Sequence, residues 1–232
     1  MAIKAALFDA YGTLLDVASA TNQLVETNHY PELKDKADRL TEIWRSRQLH
    51  YSWLRSLMGS YESFWQLTQD GLDFALRATG LDGNDDLRAD LLALYRHIQA
   101  YEDGQLILKM MTSHNIPCGI LSNGNQDMLD EAVGHAGLSP LLTQVLSVES
   151  LQIFKPAPEV YQMGCDAFDA KPDEILFFSS NGWDIGGAAY FGYRTIWVNR
   201  TAQPQELLPK APDHQVRNLS EAAEIARSIY GL

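Results

Sequence analysis

The chain has 232 residues, 46% hydrophobic and 21% charged, which is ordinary for a globular protein able to bury a sizeable core. Its net charge of −12, from 30 acidic and 18 basic side chains, argues against a nucleic-acid groove and against attraction to an anionic membrane surface. No stretch approaches the roughly 18 apolar residues of a membrane span, and the segment "MAIKAALFDA" is too short and too soon acidic for a signal peptide, so the expected location is the cytoplasm.

Taken in chain order, the first element is the apolar run "AALF", which stops on Asp9 and reads as a buried strand. Residues 17–97 show no convincing strand. Leu40, Ile43 and Trp44 fall at helical spacing, as do Tyr51, Leu54, Leu57 and Met58. "SFWQLTQDGLDFALRATG" continues the pattern and closes on a helix-stop glycine, Gly80. Strand and helix alternate again from about Ile98. A helix ends near Asn115-Ile116-Pro117, then "CGIL" runs into Ser122, and "TQVLSV" is a weaker strand candidate. A helix starts at "PAPEVYQMGCDAF", where Pro158 fits the first turn. "ILFF" runs into Ser179, another helix follows Asp184, and "TIWV" runs into Asn199. Short, continuously apolar strands suit a parallel sheet covered on both faces. The expected fold is therefore α/β: a Rossmann-like parallel core flanked by helices, built from 1–16 and 98–232, with an all-helical insertion at 17–97 after the first strand. Both cysteines, Cys118 and Cys165, lie in apolar surroundings and are expected to be buried thiols, neither zinc ligands nor a disulfide framework.

In open parallel sheets, chemistry collects at the carboxyl ends of the strands. Here those ends carry Asp9, Ser122-Asn123 and Ser179-Ser180-Asn181, with Lys155 in "FKPAPEVY" and Asp184 following. Taken singly each has an ordinary explanation. A strand-end Asp is more often a cap or turn residue, "SNGN" is a turn as it stands, and a Lys before Pro is usually solvated. Their joint occurrence at one sheet edge points to a single site.

The ordered set "FDAYGTLLD", "LSNGN", "KPAPEVY" and "SSNGWD" resembles the haloacid dehalogenase superfamily over nearly the whole chain. The resemblance implies that Asp9 is a nucleophile and that 17–97 is a cap domain. Most members of that superfamily are magnesium-dependent phosphatases with a second aspartate two residues after the nucleophile. Here that position is Tyr11, a phenol with an ordinary pKa near 10. Of the late acidic positions only Asp184 remains, so the site is under-supplied with carboxylates for a hard cation such as Mg²⁺. A halide leaving group needs no proton, and a bare aspartate suits displacement at carbon. Within the superfamily, the chain is therefore similar to the L-2-haloacid dehalogenases. A magnesium-dependent small-molecule phosphatase is the alternative, and a binding protein that kept the fold without the activity is a third reading.

By motif position, the resemblance implies attack by Asp9 on C2 of a short-chain L-2-haloacid and hydrolysis of the resulting ester to a D-2-hydroxy acid, with no metal and no cofactor. Arg45 and Asn123 would receive the halide. Ser122, Lys155 and the backbone N–H groups of Ala10 and Tyr11 would hold the substrate carboxylate. Thr13 would hydrogen-bond Asp9 or its loop, and Tyr161 would orient Lys155. Ser179, Asn181 and Asp184 would position and activate the hydrolytic water, with Asp184 or Lys155 as base. Tyr11, Leu49, Phe64 and Trp183 would line the pocket for the alkyl group. A small-molecule 2-haloacid and a halide ion are the implied partners, and a homodimer the implied assembly.

Overall fold

The computed structural model describes residues 2–231. Its centre is a six-stranded, all-parallel sheet in the order β3-β2-β1-β4-β5-β6. The strands are β1 (Ala5–Phe8), β2 (Cys118–Ser122), β3 (Gln144–Ser147), β4 (Ile175–Ser179), β5 (Arg194–Val198) and β6 (His214–Val216). Strands β1, β2 and β4 are buried along their whole length, as their unbroken apolar sequences require. The β1–β4 register pairs Phe8 with Phe178, and the two rings stack at 4.5 Å. Each such buried ring contributes roughly 1.5–3 kcal/mol. This pairing fixes the level at which Asp9 leaves β1 beside Ser179, the last residue of β4.

Between β1 and β2 the chain forms α1 (Ser19–Thr27), α2 (Ala37–Met58), α3 (Phe64–Thr79), α4 (Asp85–Arg96) and α5 (Glu102–Ser113). Helix α3 starts on Ser63, whose hydroxyl accepts from Gln66 N–H, and stops at Gly80 in the left-handed conformation, as the glycine signal predicts. Helix α2 is one rod of 22 residues whose buried row is Ala37, Leu40, Trp44, Gln48 and Ser52. Leu54, Leu57 and Met58 do not continue that row: they are 52%, 86% and 75% exposed, because at 100° per residue they fall on a side of α2 turned away from the buried one.

After β2 come α6 (Gln126–His135), α7 (Pro158–Phe168), α8 (Gly182–Phe191) and α9 (Leu219–Tyr230). Pro158 occupies the first turn of α7, as expected. Helix α8 starts at Gly182, three residues earlier than a helix following Asp184 would, so Asp184 lies in its first turn instead of preceding it. Strand β6 has no signature in the sequence: "HQV" is not an apolar run, and only its pairing with β5 reveals it. Among the described residues no helix is long and apolar enough to cross a membrane.

Cys118 and Cys165 are free and buried. Burial pushes the Cys118 thiol up to about 12 and also raises Cys165. In the native protein at pH 8, both should react with an aromatic disulfide reagent on the order of 10²-fold more slowly than in guanidinium-unfolded chain. Rapid labelling of either thiol without unfolding would contradict this packing.

Candidate active site

The site forms where β1, β2 and β4 end. Asp9 is only 7% exposed, and its carboxylate is almost fully engaged. Oδ1 accepts from Lys155 Nζ at 3.2 Å, and Oδ2 accepts from Thr13 Oγ1 at 2.9 Å and from Asn181 Nδ2 at 3.0 Å. Thr13 Oγ1 in turn accepts from Ser180 N–H at 2.8 Å, so one hydroxyl ties the Asp9 loop to the end of β4. The turn after Asp9 needs glycine: Gly12 has φ +92°, and a Cβ there would meet Ser180 Oγ at 3.0 Å and Arg45 Nη2 at 3.2 Å. The backbone N–H groups of Ala10 and Tyr11 make no hydrogen bond among the described residues, leaving two donors beside Asp9 for an anionic acceptor.

Lys155 is 1% exposed and also donates to Asp184 Oδ2 at 2.8 Å. Burial opposes its charge, but Asp184 and Asp9 outweigh burial and raise its pKa, so it is an ammonium. Asp184 is fully buried. Burial raises its pKa, while Lys155 and the Tyr161 hydroxyl, which donates to Oδ1 at 2.9 Å, act in the opposite direction. The result is a carboxylate–ammonium–carboxylate line closed off by a phenol. Tyr161 itself is held well above its ordinary pKa by burial and then by Asp184, so it remains a donor.

From the helical segment, Arg45 on α2 reaches the site. Its Nη2 donates to Tyr11 O at 2.8 Å and to Asn181 Oδ1 at 3.0 Å. Asn181 thus has one amide face on Arg45 and the other on Asp9. Arg45, Leu49, Asn181 and Trp183 line a cleft of about 870 Å³ that opens between α2 and the loop after β5. Asn123 Oδ1 accepts from Lys155 N–H at 2.9 Å, and Ser122 Oγ accepts from Gly124 N–H at 3.1 Å.

Comparison with known proteins agrees with this geometry. The family model for haloacid dehalogenase-like hydrolases matches residues 3–192. The chain is 44% identical to (S)-2-haloacid dehalogenase 1 of Pseudomonas sp. (strain CBS-3), over 96% of each chain. It superimposes with TM-score 0.91, at 41% identity and 97% coverage of both chains, on a dehalogenase crystallised with an intermediate complex. The L-2-haloacid dehalogenase from Xanthobacter autotrophicus with chloropropionic acid covalently bound gives TM-score 0.87 at 33% identity, over 98% of this chain and 99% of that one. The chain belongs to the haloacid dehalogenase-like hydrolase family.

Most of the side chains singled out in the sequence of this hydrolase meet in one hydrogen-bonded network: Asp9, Thr13, Arg45, Asn123, Lys155, Tyr161, Asn181 and Asp184. Two contacts differ from expectation. Tyr161 bonds Asp184 and makes no hydrogen bond to Lys155, so it orients the lysine only through the carboxylate between them. Ser179 Oγ accepts from Asn181 N–H at 3.2 Å, which makes it a turn-former that sets the Asn181 backbone. Of the side chains expected around an alkyl group, Leu49 and Trp183 line the cleft, whereas Tyr11 and Phe64 pack against each other at 5% and 3% exposure. Ser180, named at the strand end in the sequence but assigned no role there, is the residue inside "SSN" that touches Thr13. Gln48, a buried polar residue three positions after Arg45 on the same face of α2, has no sequence signal that marks it.

Replacing Gly12 with alanine forces a left-handed turn on a side chain and crowds Arg45. The expected loss is about 1–3 kcal/mol, read by calorimetry as a fall in Tm of roughly 2–10 °C for a chain of this size. An unchanged Tm would show that the turn relaxes freely.

Proposed function

We propose that the chain hydrolyses short-chain L-2-haloalkanoic acids to D-2-hydroxy acids and halide, with inversion at C2, through an ester on Asp9 and without a metal. The observation that carries this reading is the Lys155 ammonium between Asp9 and Asp184 at 3.2 and 2.8 Å, beside a tyrosine at the position where a second aspartate would bind a cation. Among the described residues, no three His, Cys, Asp or Glu side chains converge as a cation would need. The relatives named as (S)-2-haloacid dehalogenases, and the Xanthobacter structure with covalently bound chloropropionic acid, support the same chemistry.

In this reading, residues 1–16 and 98–232 are the catalytic core and 17–97 the cap. The substrate carboxylate takes the free N–H groups of Ala10 and Tyr11, together with Ser122 and Lys155. Oδ1 of Asp9 accepts one hydrogen bond and Oδ2 accepts two, so Oδ1 is the freer oxygen. It attacks C2, the carbon–halogen bond breaks, and the halide departs with the bonding electrons toward Arg45 and Asn123. Donors fixed before the reaction stabilise that charge most strongly in a water-poor site.

Water then adds to the Asp9 carbonyl carbon, and the bond from that carbon to the ester oxygen breaks. The C2–O bond formed in the first step survives, so the inverted configuration is kept. One water proton passes to Asp184, whose buried carboxylate has a raised proton affinity, with Lys155, bonded to both carboxylates, as the bridge; that proton goes on to the departing oxygen, giving the hydroxy acid, and the second water proton leaves to solvent as the Asp9 carboxylate re-forms. Asn181 holds the Asp9 carbonyl in place, and Ser179 holds Asn181. The exposed Leu54, Leu57 and Met58 on α2 offer an apolar patch for a homodimer. Light scattering at twice the chain mass would support the dimer, and a monomer at assay concentration would remove it.

The L enantiomer of 2-chloropropionate should release chloride in the presence of EDTA at the same rate as without it, and the D enantiomer should release none. Multiple turnovers in ¹⁸O-water should place label in the Asp9 side chain, detectable by peptide mass spectrometry. Asp9→Ala should lower kcat by on the order of 10³-fold or more. Magnesium-dependent release of phosphate from small esters, with no halide release, would favour the phosphatase reading instead.

A further inference from the structure

Tyr11 is held by its ring. Its hydroxyl is buried and finds no hydrogen-bond partner among the described residues, so no polar contact fixes the side chain. The ring stacks on Tyr95 of α4, with centroids 5.4 Å apart and planes 17° apart, and tilts against Phe64 of α3 at 6.4 Å. Its inner edge rests on Gly124, where a Cβ would come within 3.0 Å of Tyr11 Cε2. The backbone of the same residue does two other things: its carbonyl accepts from Arg45, and its N–H is one of the two free donors beside Asp9.

Tyr95, by contrast, is anchored. It is 1% exposed, its hydroxyl accepts from Gln48 Nε2 at 3.1 Å, and the Trp44 ring packs on it at 5.2 Å. Gln48 also donates to Thr68 Oγ1 at 2.6 Å, so a single buried amide joins α2, α3 and α4. Arg45 lies one helical turn before Gln48 on the same face of α2.

We infer that Tyr95, fixed by Gln48, is a positioning residue for substrate carboxylate binding: through its stack on Tyr11 it holds the two free N–H groups of the Asp9 loop in register with the helical segment. This rests on the dehalogenase reading for its substrate. The contact acts on a group that does not change during the reaction, so it should be felt equally by bound substrate and transition state, and hence in KM more than in kcat.

The test compares Tyr95→Leu, Tyr95→Phe, Gln48→Met and a control, Leu87→Ala, which opens a cavity at a fully buried position elsewhere on α4. Tyr95→Leu should raise KM for L-2-chloropropionate about tenfold and change kcat by less than about threefold. The same factor should hold for L-2-chlorobutyrate, because the carboxylate is common to both. Tyr95→Phe keeps the stacked ring but loses the Gln48 anchor, so it and Gln48→Met should each raise KM by about threefold, less than Tyr95→Leu. The calorimetric Kd of propionate, an unreactive carboxylate, should follow KM in every variant. Three results would overturn the inference: an unchanged KM in Tyr95→Leu, an equal rise in Leu87→Ala, or a factor that grows with chain length. If Tyr95→Leu does not fold, Gln48→Met and propionate binding decide. Parent protein that binds propionate but releases no halide would sink the dehalogenase reading while leaving the positioning role open to the binding measurement.

Discussion

A buried ammonium between two carboxylates governs the rest of the structure. Lys155 is almost wholly removed from water, and an unpaired charge there would be strongly disfavoured. Asp9 and Asp184 neutralise it from opposite sides, and Tyr161 donates to the outer carboxylate. Removing Lys155 would leave two buried carboxylates facing each other without a cation, which is more destabilising than the intact set is stabilising. The apolar core brings the end of β1, the segment before α7 and the first turn of α8 together. The charge line then fixes how their polar ends must face one another.

The second constraint is the seam between the helical segment and the sheet. Arg45 crosses it to reach Tyr11 O and Asn181, Phe154 N–H donates to Ser56 Oγ, and Trp65 N–H donates to Asn125. Farther from the site, Arg96 at the end of α4 pairs with Asp127 on α6. The partly exposed Arg96 pair is screened by solvent and contributes little to stability. The contacts near Asp9 are more enclosed, so they hold the arginine with greater directional control. The seam is tight at the chemistry and looser at its outer edge.

Much of this organisation is legible in the sequence because strand ends are legible. Four unbroken apolar runs stopping on polar residues are enough to locate Asp9, Ser122 and Ser179, and parallel topology brings them to one edge. The helical character of 17–97 is legible from spacing and from the glycine at 80. What spacing does not reveal is which partner a side chain chooses. Tyr161 lies six residues from Lys155, yet it bonds Asp184, because the α7–α8 packing places that carboxylate nearer. Ser179 belongs to the expected motif, yet its hydroxyl is consumed by the turn it makes. Leu57 and Met58 repeat at helical intervals but on the face of α2 turned away from its packing partners. Gln48 and Tyr95 carry no motif at all; only burial distinguishes a polar residue that matters from a solvated one.

Asn181 sets the charge balance of this site by a single atom. Its Nδ2 faces Asp9 Oδ2 at 3.0 Å while its Oδ1 faces Arg45. An aspartate has the same shape, but it would turn that donor into a third carboxylate in a cluster that already holds two. Three carboxylates would then face the Lys155 and Arg45 cations instead of two, and the guanidinium would be drawn into an ion pair with the new one. A neutral amide at 181 holds the arginine by one hydrogen bond and leaves its positive charge uncompensated at that contact.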